Sequence, residues 1–136
     1  MDNIDVLCPP NPQCVPLWLV RESDLPAWRG GLTAAQQRWV DLHGFTAERH
    51  RVLVLPGEGG ELAGVALGVG KLGDWSSLNH WHSAGLVDRV PTADYRLATE
   101  LPPVAARHAA FGWCYGAYRA RRNADSRAAR PRLAVP

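Results

Sequence analysis

The stretch Gly68-Val69-Gly70-Lys71-Leu72-Gly73 spells GxGxxG. Placed between a strand and a helix, that pattern lets backbone amides and a helix N-terminus meet a pyrophosphate, and it is the best phosphate signal in the chain. Two features work against it. The preceding run Leu62-Ala63-Gly64-Val65-Ala66-Leu67 follows Arg51-Val52-Leu53-Val54-Leu55 across Pro56-Gly57-Glu58-Gly59-Gly60, a turn cluster that predicts an antiparallel hairpin and not the opening of a βαβ unit. The acidic residue needed to hold a ribose has only Asp88 or Asp94 to offer, and neither ends a convincing second strand. A glycine-rich strand-to-helix turn therefore stands beside phosphate binding as the plainer reading.

The remaining reactive side chains are scattered. His80-Trp81-His82 places two imidazoles at i and i+2, which point to different sides of a helix, and no Cys, Asp or Glu follows at ligand spacing. His43 and His50 flank a loop. Cys8, Cys14 and Cys114 show no CxxC spacing, so reduced thiols are expected, and Cys114 lies in an apolar helical stretch where a thiol is packing. No GxSxG elbow is present. Arg119, Arg121, Arg122, Arg127 and Arg130 form a basic run at a helix end, where cations suit the macrodipole and the solvent. These residues support no catalytic, cofactor-binding or metal-ligating assignment in this chain.

The elements that would position such groups can be read from periodicity. Residues 1–14, with Pro9, Pro10 and Pro12, predict a flexible lead-in, and order is expected from Val15 onward. Leu17-Trp18-Leu19-Val20 predicts a buried strand ended by Arg21-Glu22-Ser23-Asp24. Thr33 with Gln36 resembles a capping box for a helix over roughly 34–43, stopped by Gly44. The hairpin should be antiparallel and central. Asp74 should cap a helix from Ser76 to Ala84, ended by Gly85, and Tyr95-Arg96-Leu97-Ala98 should form a strand.

Pro102-Pro103 opens the longest helix, expected to run to about Arg122. Val104, His108, Phe111, Tyr115 and Tyr118 recur at spacings of 4, 3, 4 and 3, which predicts one buried face. Gly112 and Gly116 each cost about 1 kcal/mol relative to Ala, so they predict a close backbone approach. Arg132-Leu133-Ala134-Val135-Pro136 reads as a last strand.

At 136 residues and 14.9 kDa the folded surface should be roughly 7,000 Å² against about 21,600 Å² unfolded, enough for one domain and too little for two. A net charge of +2 makes no field that would capture a phosphate backbone, so nucleic acid is not an expected partner. No apolar run approaches the ~18 to 20 residues needed to cross a bilayer, and the acidic start does not read as a signal peptide. A cytoplasmic protein without a membrane partner is expected.

From about Leu25 to Pro136 the order of elements resembles the N-terminal domain of the leucyl aminopeptidase family, the two-metal cytosol aminopeptidases, in its shorter bacterial form. The residues that carry the resemblance are Trp39-Val40 followed by Gly44-Phe45, the Leu53-Val54-Leu55-Pro56-Gly57 strand and turn, and Leu67-Gly68-Val69-Gly70. The helix Phe111-Gly112-Trp113-Cys114-Tyr115-Gly116-Ala117-Tyr118-Arg119 and the closing Arg132-Leu133-Ala134-Val135-Pro136 complete it. After the Tyr-Arg pair the family continues with an aromatic, an acid, Arg and Tyr, where this chain has Ala120-Arg121-Arg122-Asn123. The family's metal ligands lie in a separate C-terminal domain around Asn-Thr-Asp-Ala-Glu-Gly-Arg, a motif these residues lack.

The resemblance implies an α/β, three-layer, macro-domain-like fold with a mixed sheet, forming a single accessory domain over 15–136. It also implies a partner catalytic domain in the same polypeptide, holding two divalent metals (Zn or Mn), in a homo-hexameric parent that releases N-terminal amino acids from peptides. The runner-up is an independent macro-like module binding a nucleotide or ADP-ribose at the turn from Gly68 to Gly73.

Overall fold

The structure, a computed structural model, describes residues 7–121 and 131–135. In chain order the elements are β1 Leu7–Cys8, β2 Val15–Arg21, α1 Leu25–Gly30, α2 Ala34–Leu42, β3 Val52–Pro56, β4 Leu62–Gly70, β5 Asp94–Leu97, α3 Pro103–Arg121 and β6 Arg132–Ala134. The strands form one six-stranded sheet in the order β1-β6-β5-β2-β4-β3. Every pairing is parallel except β3 with β4, so the sheet is mixed, as expected for an α/β fold. The hairpin is antiparallel, but it is not central: β3 is an edge strand. A tight turn fixes the direction of two neighbouring strands and says nothing about what pairs on their far sides.

Alternation along the strands divides the core into two layers. Leu17, Leu19, Val65, Leu67 and Val69 face one side with Tyr95, Leu133 and α3. Trp18, Val20, Leu53, Leu55 and Ala66 face the other with Val40 of α2 and the loop residues Phe45 and Ala47. Because β4 is covered on both faces, its residues from Gly64 to Gly70 are all buried, which explains a run with no polar alternation. With α1 and α2 on one face and α3 on the other, the molecule is three-layered.

Local chemistry sets the first helical layer. The capping box is present as read: Gln36 N–H donates to Thr33 Oγ1 at 3.2 Å, and Thr33 N–H donates to Gln36 Oε1 at 3.2 Å. Arg29 of α1, a helix the sequence reading passed over, donates to both carboxylate oxygens of Asp41 in α2, at 2.9 and 2.6 Å. Trp39 Nε1 donates to the Val54 carbonyl at 2.9 Å, tying α2 to the edge strand.

Three expectations need correction. Leu7–Cys8 pairs with β6 (Leu7 with Leu133, Cys8 with Ala134), so strand structure begins inside the stretch read as a lead-in. That pairing joins residues more than a hundred positions apart, and no local pattern announces it. The segment expected as a helix from Ser76 to Ala84 is instead a chain of short 3-10 turns, Trp75–Ser77, His80–His82 and Leu86–Arg89. Asp74 does cap the first of them, its Oδ1 accepting from Ser76 N–H at 2.9 Å.

The buried face of α3 is the third. Val104 and Phe111 are 50% and 58% exposed, whereas Ala105, Ala109, Trp113 and Ala117 are buried. The side chains of Tyr118, Arg119 and Arg121, and the residues Arg122, Arg127 and Arg130, lie outside what the structure describes.

The small face of α3 allows a very close approach. A Cβ built on Gly112 would overlap the His80 carbonyl and Ser83 Oγ, and one on Gly116 would overlap the Ala84 carbonyl. Gly30, at the end of α1, has open space instead. Gly116→Ala is therefore expected to lower stability by about 1 to 3 kcal/mol through overpacking, despite a helix-propensity gain of about 1 kcal/mol. Gly116→Leu should cost at least as much, and Gly30→Ala should be neutral or stabilising. Denaturant melts of the three variants check this; a Gly116→Ala protein as stable as wild type would mean the loop does not abut the helix.

Candidate functional site

The close contact between α3 and the 3-10 segment builds an aromatic face on the surface. Asn79 holds the His80–His82 turn, its Oδ1 accepting from Trp81 N–H at 2.9 Å while its own N–H donates to His82 Nδ1 at 3.1 Å. His82 then turns inward and is buried. His80 and Trp81 remain outside with Phe111 and Tyr115 of α3. Ring centroids lie 5.1 Å apart for His80–Phe111, 5.4 Å for Trp81–Tyr115 and 4.4 Å for His80–Trp81. Trp81 is 49% exposed. Beside the rings, a shallow groove of about 480 Å³ is lined by His80, Val104, Arg107, His108 and Phe111. The arrangement is an exposed aromatic face edged by a guanidinium and imidazoles, chemistry suited to holding a partner.

Candidate metal ligands are not brought together. His80 points out and His82 in, and no group of three or more His, Cys, Asp or Glu able to hold a metal occurs among the described residues. Cys114 is half-buried in α3, and burial pushes its thiol pKa up.

The first two glycines of the GxGxxG string, Gly68 and Gly70, serve the fold, while Gly73 faces open space. Gly68 N–H donates to the Arg51 carbonyl at 2.8 Å and Gly70 N–H to the Ala47 carbonyl at 2.9 Å, so both amides are already partnered. A Cβ on Gly68 would overlap the Ala47–Glu48 backbone, and Gly70 sits at φ +72°. A three-residue 3-10 turn follows in place of the expected helix.

Comparison with known proteins fits this geometry. Residues 15–136 match the family model described as M17 aminopeptidase, N-terminal domain. This chain belongs to the M17 aminopeptidase family, as its N-terminal domain. The M17 domain shares its fold with the cytosol aminopeptidase of Coxiella burnetii, whose 1.8 Å crystal structure it matches with a TM-score of 0.78 at 22% identity. The match covers 93% of this chain and 27% of that one, so the M17 domain spans about a quarter of that enzyme. No curated protein sequence matches it significantly. Among the described residues, no helix is long and apolar enough to cross a membrane.

The buried imidazole of His82 and the exposed one of His50 give the M17 domain a pH dependence. Burial holds His82 below its ordinary 6.5; the Asn79 backbone carbonyl, 3.3 Å from Nδ1, opposes the shift, and Arg49 and His50 reinforce it. His50 is lowered by the same desolvation, then by Arg49 and Arg89. The unfolded chain therefore binds more protons below pH 6.5. Stability contributed by the neutral rings is complete above pH 6.5 and is lost as the pH falls through the depressed folded values. Melting temperature is expected to drop between pH 7.5 and 5, and His82→Asn, which keeps an acceptor for Asn79 N–H, should flatten that slope. A slope unchanged in the variant would sink the assignment.

Proposed function

We propose that this chain is the non-catalytic N-terminal domain of a two-metal leucyl aminopeptidase, acting in the cytoplasm beside a C-terminal catalytic domain of the same polypeptide in a homo-hexameric parent. The observation that carries the reading is the family match over residues 15–136. Among the described residues no group of three or more His, Cys, Asp or Glu could hold a metal, and we place the Zn or Mn ions that activate a water for peptide hydrolysis in the catalytic domain. The mixed three-layer architecture supports a macro-domain-like scaffold with an assembly or access role.

The aromatic face formed by Trp81, Phe111 and Val104 is the surface we assign to contact with the catalytic domain. Large exposed apolar groups gathered on one rigid face cost solubility unless a partner covers them. Family membership supplies that partner.

Three measurements test the reading. The purified chain is expected to hydrolyse no Leu-anilide substrate with added Mn²⁺ or Zn²⁺ and to keep no stoichiometric metal after dialysis; turnover with bound metal would overturn it. Calorimetry with ADP-ribose should give no dissociation constant below about 10 μM, near −7 kcal/mol, the affinity a dedicated nucleotide module would show. Finally, Trp81→Ser with Phe111→Ser should leave the melting temperature nearly unchanged while abolishing association with a separately expressed M17 catalytic domain. Unimpaired association would remove the aromatic face from the contact.

A further inference from the structure

The two N-terminal cysteines are brought together by a turn. Cys8 ends β1, and the chain then reverses through Pro9, Pro10, Asn11, Pro12 and Gln13 to Cys14, at the threshold of β2. Asn11 organises the reversal, its carbonyl accepting from Cys14 N–H at 3.2 Å and its Oδ1 from Gln13 N–H at 3.0 Å. Cys8 and Cys14 are 5% and 6% exposed, and with Ala134 they form a small cluster apart from the two main cores. The two thiols are neighbours within that buried cluster. Close by, Arg132 donates to both carboxylate oxygens of Asp94, at 2.7 and 2.6 Å.

Two buried thiols brought into one cluster by a short loop are placed so that an oxidant could join them. We propose that Cys8 and Cys14 form a reversible disulfide that clasps the N-terminal edge strand to the chain entering β2, with peroxide as oxidant and low-molecular-weight thiols as reductant.

In the forward direction one thiolate attacks an oxygen of hydrogen peroxide. The S–O bond forms, the O–O bond breaks and hydroxide leaves, taking a proton to become water. The second thiolate attacks the sulfenic sulfur, the S–S bond forms, the S–O bond breaks and a second water leaves. Two thiols and one peroxide thus give one disulfide and two waters, and two electrons pass from sulfur to oxygen.

Access comes from the sheet edge. β1 is only two residues long, and beyond its pairing with β6 it is fastened by Val135 N–H donating to the Cys8 carbonyl at 3.0 Å, so it opens at small cost relative to global unfolding. Within the closed cluster, burial and Asp94 push the Cys8 thiol pKa up while Arg132 pulls it down. The groups facing the pair are therefore Arg132 and Asp94, and oxidation should speed up as the pH rises toward the thiol range. Cys114, on α3, belongs to neither the loop nor the cluster.

The test is an equilibrium one, so that slow access cannot mimic a negative. The full chain and a synthetic peptide of residues 6–16 are equilibrated in glutathione buffers of graded ratio at pH 8, trapped with iodoacetamide and mapped by mass spectrometry. The folded chain is expected to lose about 2 Da, with the link mapped between positions 8 and 14. Its midpoint should lie at a glutathione ratio about tenfold more reducing than the peptide's, because the fold holds the sulfurs together. Hydrogen exchange at β1 and β6 should slow on oxidation, and Cys8→Ser and Cys14→Ser should each abolish both effects. A midpoint no more reducing than the peptide's, or a link through Cys114, would overturn the proposal.

Discussion

The absence of side chains at Gly112 and Gly116 is the constraint on which one half of the molecule depends. At these positions the backbone of α3 comes against the carbonyls of His80 and Ala84 with no room for a methyl group. The loop it receives is too irregular to cover the sheet by itself: three short 3-10 turns satisfy few of their own backbone groups. Docked on the helix, the loop gains outside partners, such as the Ser83 hydroxyl donating to the Ala109 carbonyl at 2.9 Å. Leu78, Leu86 and Val87 then complete the core above β4 and β5. The aromatic face is a by-product of the same contact, since His80 and Trp81 reach Phe111 and Tyr115 only when the two backbones lie this close.

Tyr95 and Trp113 show how that core is sealed. Their rings lie 5.9 Å apart, both nearly inaccessible, and the Tyr95 hydroxyl donates to the Pro91 carbonyl at 2.6 Å. Burial pushes the Tyr95 pKa up to about 12, so the ring stays neutral across the physiological range. The loop leading into β5 is thereby fixed from inside the core.

Parts of this were legible in local sequence and parts were not, for a physical reason in each case. The Thr33–Gln36 box and the antiparallel pairing of the 51–67 hairpin are made by neighbours in the chain, and they form as read, although the hairpin lies at the sheet edge and not at its centre. The glycine pair in α3 correctly announced a close approach. The choice of buried face failed because two rows of the helix carry the same 4-3-4 spacing: Val104, His108, Phe111, Tyr115 and Ala105, Ala109, Gly112, Gly116. Hydrophobic size favours the first row, but burial against a backbone demands the second. The pairing of Cys8 and Cys14 escaped notice because a five-residue separation has no fixed geometry until Asn11 turns the chain.

The same distinction separates the GxGxxG string from a phosphate site. In a dinucleotide site the glycines clear space so that a ligand can approach unpartnered amides at a helix N-terminus. Here the space over Gly68 is filled by the Ala47–Glu48 backbone, and the Gly68 and Gly70 amides donate to carbonyls of the segment 47–51. That segment bends sharply enough to place Ala47 and His50 at φ of 62° and 69°, a region a non-glycine residue enters only at some cost. The cost is offset by burying Ala47 and by extending the hydrogen-bonded ladder past the end of β3, where His50 N–H donates to the Gly68 carbonyl at 3.0 Å. Gly68, like Gly112 and Gly116, admits another stretch of this chain's own backbone. Its missing side chain is used within the fold, and the pattern of letters alone does not distinguish that use from ligand binding.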